Sequence, residues 1–81
     1  MDDILKSIEA RIWNAHQRFG PFASTHEALG VAVEEWDEFR DAIRENDFDL
    51  IEHEALDLAA VLIRIAREIR NESHTRERST K

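Results

Sequence analysis

From Val31 to Lys81 the chain contains neither glycine nor proline; its only such residues, Gly20, Pro21 and Gly30, all come earlier. A stretch that long without either residue has almost nothing to interrupt a helix. No segment alternates apolar and polar residues as a half-buried strand would. The pattern predicts an all-α fold of three helices. The first runs from about Asp3 to Arg18, with Leu5, Ile8, Ile12 and Phe19 on one stripe. Gly20-Pro21 ends it, since proline disfavours helix at the preceding residue. The second begins near Thr25, capped by Ser24 with Glu27 three residues on as a capping box, and puts Leu29, Ala32, Trp36, Phe39 and Ile43 on its apolar face. Asn46-Asp47 breaks the pattern. Asp49 with Glu52 offers a second capping box, so the third helix starts at about 48 to 50 and reaches Asn71, with Ile51, Leu58, Leu62, Ile65 and Ile69 on one side. Residues 73–81 carry no apolar side chain and are expected to be a disordered tail beyond a helical domain at 1–72.

The third helix has more apolar surface than one neighbour needs. At about 100° per residue, Leu56 and Ile63 point away from the Leu58/Leu62/Ile65 stripe. Either a second subunit covers that side, or these are exposed leucines of the kind monomers tolerate. Size favours the subunit: a domain of 81 residues buries only about 60–65% of the surface its unfolded chain exposes. A homodimer or homotetramer is expected. The formal charge of −7 argues against nucleic acid as a partner, because phosphate backbones attract basic surfaces. No apolar run approaches the roughly 20 residues that span a bilayer. With no cysteine and an acidic start at Met1-Asp2-Asp3, a cytoplasmic protein is expected.

The acids are not evenly spread. Glu35 and Glu38 are three apart and share one face of the second helix; Glu54 and Asp57 do the same on the third. Each pair borders an apolar stripe: Glu35 lies about 40° from Phe39, and Asp57 about 40° from Val61. If the two helices pack antiparallel through the short turn, Glu38 meets Glu54 and Glu35 meets Asp57 at similar heights. Converging carboxylates repel one another, and a hard cation such as magnesium, or manganese on the same oxygen set, would offset that. The alternative is that all four are solvated helix acids, common in a chain with 18 acidic residues.

The segment Glu34-Glu35-Trp36-Asp37-Glu38, followed after 15 residues by Glu54-Ala55-Leu56-Asp57, resembles the Glu-Glu-x-x-Glu and Glu-x-x-Asp signature of the MazG-type all-α nucleotide pyrophosphohydrolases. Phe19-Gly20-Pro21-Phe22 and His26-Glu27 also resemble a short-chain branch of that group, so the likeness spans roughly residues 15 to 70. It implies an antiparallel helical bundle completed by oligomerisation. It also implies magnesium held by Glu35, Glu38, Glu54 and Asp57, and cleavage of a nucleoside triphosphate between the α and β phosphates. Glu34, Glu35 and Glu38 are the catalytic candidates; Glu34 lies about 100° from Glu35 and is better placed to orient water than to bind metal. The chain stops short of the fourth helix that supplies basic residues in longer members.

Three further side chains are candidates for substrate contact. Arg64, two turns after Asp57, either grips a phosphate oxygen or pairs with Glu68. His53 falls on the same face, as a substrate contact or an ordinary hydrogen-bonding histidine. Trp36, with Phe39, either stacks on a nucleobase or is core. His16 falls in the first helix's stripe and is expected to be core. A di-iron carboxylate bundle is disfavoured, because none of the four histidines follows a glutamate by three residues. A non-catalytic helical module that oligomerises or binds nucleotides remains the rival reading.

Overall fold

In the computed structural model the backbone is described over residues 2–79 and side chains over residues 3–72. Three helices make up the fold: α1 (Asp2–Phe19), α2 (Thr25–Glu45) and α3 (Phe48–Ser79), with no strand among the described residues. The expected disordered tail at 73–81 lies outside the residues whose side chains are described. No helix there is long and apolar enough to cross a membrane.

Local chemistry sets each boundary. After α1, Gly20 adopts φ +69°, a left-handed conformation that glycine takes without strain, and its N–H donates to the His16 carbonyl. Ser24 caps α2, its hydroxyl accepting from Glu27 N at 3.1 Å. The Glu27 carboxylate reaches back to Ala23 N at 2.7 Å, one residue earlier than a standard capping box would place it. At the other end Asn46 takes the left-handed φ of 56° and donates to Ile43 O, a cap suited to asparagine. The cap of α3 differs from the expected Asp49/Glu52 box: Asp47 Oδ1 accepts from Leu50 N at 3.2 Å. The helix starts so soon after Asn46 that Asp47 is the residue at the capping position.

Helix α3 is the centre of the molecule. Both α1 and α2 pack on it, and they do not pack on each other. The buried residues follow from this: Ile8 on α1, Ala28 and Ala42 on α2, and Ala60, Val61 and Arg64 on α3. Small side chains dominate because a single helix flanked on two sides lets backbones approach closely while leaving the outer faces open. Much of the expected apolar face of α2 is therefore uncovered, with Leu29, Trp36 and Ile43 exposed. His16, expected in the core, is exposed too. No large side chain is fully buried among the described residues, and Trp13, Phe19 and Phe48 are 62–76% exposed.

Candidate metal centre

The two-residue connection between α2 and α3 makes the facing pairs run in step away from the turn. Glu38 and Glu35 on α2 meet Glu54 and Asp57 on α3. Oxygens of Glu35, Glu38 and Glu54 lie within 4.8 Å of one another, and ligand atoms of His53, Glu54 and Asp57 form an overlapping group on the same limit. The structure thus brings together all four acids singled out by spacing, with Glu54 shared between the two groups.

Their electrostatics are unbalanced. Glu35 is pushed from 4.5 to about 7, chiefly by desolvation, then by repulsion from Glu38, Asp57 and Glu54. Glu54 is also raised, again mainly by desolvation, then by Glu38 and Asp57, with His53 acting the other way. Glu35 Oε2 and Glu54 Oε1 are buried and have no hydrogen-bond partner. A buried carboxylate oxygen without a donor is costly, and two facing each other across a helix pair require a positive group or a proton between them. The Glu35, Glu38 and Glu54 donors are oxygen only, which suits a hard divalent cation. Both the orphaned atoms and the chemistry therefore fit such an ion.

Asp57 is compensated differently. Arg11 Nε on α1 donates to Asp57 Oδ1 at 2.7 Å, and His53 Nε2 lies 3.3 Å from Asp57 Oδ2. Arg11 also approaches His53 Nδ1 at 3.1 Å. The remaining guanidinium nitrogen donates to the Ser7 hydroxyl and carbonyl. Sequence reasoning missed Arg11. The signal was available: it borders the Ile8/Ile12 stripe as the acids border theirs.

The other candidates fall elsewhere. Arg64 is buried, 7% exposed; its Nη2 donates to Gly20 O at 3.0 Å and its guanidinium sits 4.3 Å from the centre of the Phe22 ring. Glu68 is 4.0 Å away. Arg64 thus pins the α1–α2 loop rather than pointing among the acids. Trp36 is half exposed and packs beside Phe39 with ring centres 5.9 Å apart. Glu34 is exposed. A largely apolar groove of about 570 Å³ lies toward the far end of α2 and α3, along Ala28, Leu29, Ala32, Leu62, Ile65 and Ile69. It does not include the acids.

Comparison with protein-family models, curated proteins and solved structures finds no match for this chain. A functional reading therefore rests on the residues and their geometry.

Proposed function

We propose that the chain is a divalent-metal-dependent nucleotide pyrophosphohydrolase of the MazG type. It would act in the cytoplasm as an antiparallel helical bundle completed by further copies of itself. The observation that carries this reading is the convergence of Glu35, Glu38 and Glu54 from two helices, with two buried oxygens lacking any donor. Glu35, Glu38, Glu54 and Asp57 would hold magnesium, or manganese in its place. Bound there, such an ion would supply charge neutralisation for the triphosphate and a more acidic water for attack on phosphorus.

The chain's own residues supply the rest. Glu34, exposed and next in sequence to Glu35, would orient the incoming water. His53 holds Asp57 in place. Trp36 offers an exposed aromatic face for the base. The products are a nucleoside monophosphate, deoxy for preference, and pyrophosphate.

A second reading is a non-catalytic module for oligomerisation or nucleotide binding. It is favoured by one observation, the many exposed large apolar side chains around a core of small ones. Incubation with magnesium and each nucleoside triphosphate separates the two. Release of pyrophosphate with a monophosphate supports the enzyme; release of inorganic phosphate with a diphosphate means the wrong bond; no turnover together with no manganese binding leaves the module.

A further inference from the structure

The four acids are not alike. Glu35 and Glu54 each have a buried oxygen with no donor, whereas both oxygens of Asp57 are engaged, one by Arg11 and the other by His53. Arg11 is also the cation that reaches the cluster from α1, a helix that contributes none of the acids. Its side chain and that of Asp57 are 24% and 28% exposed, so the pair sits at the mouth of the cluster, reachable from solvent but partly desolvated. A guanidinium is a planar, permanently charged fork suited to carboxylate and phosphate alike.

We propose that Arg11 is the resident counter-cation of the cluster, and that it exchanges its carboxylate for a phosphate oxygen of a polyphosphate substrate when a divalent ion takes over the charge of Asp57. Arg11 would then supply a positive group at this end, Arg64 being committed to Gly20 and Phe22. This rests on the reading of the acids as a divalent-cation site. Arg11 moves only from one anion to another, so its guanidinium is never left uncompensated. Ser7, bonded to the same guanidinium, and His53 keep the side chain at the mouth during the exchange.

The exchange predicts opposite effects on metal and on substrate. While Arg11 guards Asp57 its positive charge opposes an incoming ion. Removing it relieves that repulsion but takes away a phosphate contact. Manganese binding is measured by electron paramagnetic resonance without nucleotide, and binding of a non-hydrolysable triphosphate analogue is measured with manganese present. Arg11→Gln is expected to bind manganese about threefold to tenfold more tightly than the parent, the size of a screened charge repulsion a few ångströms away. It should bind the analogue at least about tenfold more weakly, as for loss of one charge-assisted contact. Arg11→Lys keeps the charge without the fork; it should bind manganese within about twofold of the parent, given the equal charge, while still losing analogue affinity. A purely structural Arg11 would weaken both ligands together, and that result in either variant overturns the proposal. If Arg11→Gln does not fold, Arg11→Lys alone decides: analogue affinity equal to the parent's overturns it. Failure of the parent to bind manganese at all is a separate outcome, sinking the metal reading and this inference with it.

Discussion

The two ends of α3 are built on opposite principles. Far from the α2–α3 turn, the polar groups close on one another. Arg64 donates to Gly20 O, Phe22 N donates to Glu68 at 2.9 Å, Ala23 N to Glu27, and Glu27 N to Ser24. Near the turn, Glu35 and Glu54 face each other with buried oxygens that nothing satisfies. The same helix, in the same layer, supplies both ends. Burial of polar groups is thus no obstacle for this chain where partners are wanted, and the loose end is set apart by its chemistry. A satisfied network holds a loop; an unsatisfied acidic one stores repulsion that an incoming ion relieves.

The largest expected effect comes from replacing one acid at the loose end. Glu54→Gln keeps the shape and removes a charge from a group already penalised by burial. Hydrolysis should fall more than about a hundredfold, beyond what loss of an outer partner of a metal site costs. The metal-free protein should melt at a higher temperature than the parent. On the proposed reading magnesium would bind the folded state and add about 2.7 kcal/mol at a hundred times its dissociation constant, so it should raise the melting temperature of the parent and do little for the variant. Melting curves with EDTA and with magnesium check this. A parent and variant that melt alike under both conditions would erase the contrast between the ends.

Next in size is the closed end. Arg64→Met preserves much of the volume but loses the bond to Gly20 O and the contact with Phe22. The expected loss is about 2–3 kcal/mol, for a charge-assisted hydrogen bond and a cation–π contact in partly buried surroundings. Denaturant unfolding measures it. Below the melting transition, KM for the nucleotide should be unchanged. A raised KM would return Arg64 to the phosphate-gripping role that its position two turns after Asp57 suggests.

Acidity probes the same contrast more gently. A carboxylate whose folded pKa exceeds its unfolded one binds more protons when folded, so stability falls as pH rises between the two values. For Glu35 that window runs from 4.5 to about 7, and Glu54 adds in the same direction. Metal-free protein should therefore lose about 1–2 kcal/mol across it, after allowing for solvent screening of a partly exposed group. Glu9, held low by Arg67, acts on the opposite side, below the ordinary carboxylate value, and does not overlap. Chemical denaturation at pH 4.5 and 7.5 should show the slope in the parent and a flatter one in Glu35→Gln.

Much of this was readable in the sequence where the determinants are local. Gly20-Pro21, Ser24 with Glu27, and Asn46-Asp47 mark the two connections between helices because caps and breakers act within four residues, whereas the third helix, expected to reach Asn71, runs on to Ser79. The acids were found because i,i+3 spacing at the edge of a stripe is also local. What the pattern could not give was which stripe is covered. Leu29, Trp36 and Ile43 share a face, yet they stay exposed because α1 and α2 flank α3 without meeting. Arg11 borders its stripe visibly enough in the sequence, but its partner, 46 residues away, could not be read there. Arg64 shows the limit from the other direction. Its wheel position is right for the acids, but the loop after α1 folds over it and takes its guanidinium.

The smallest effect tests whether the two ends are independent. Ser24 is exposed and bonds only locally, accepting from Glu27 N at the start of α2. Ser24→Ala removes one cap, for an expected loss of about 1 kcal/mol, which in a domain of this size is about 4–8 °C in melting temperature. The loss should be the same with EDTA as with saturating magnesium, because distant sites without shared partners add within about 0.3–0.5 kcal/mol. The separation here is physical: Ser24 lies at the opposite end of α2 from Glu38, and the network it belongs to ends at Glu27 and Ala23. A magnesium-induced shift that shrinks in Ser24→Ala would mean that fraying the start of α2 loosens Glu35 and Glu38. The closed end would then be part of the metal site's support, and α2 would have to be treated as one rigid lever joining them.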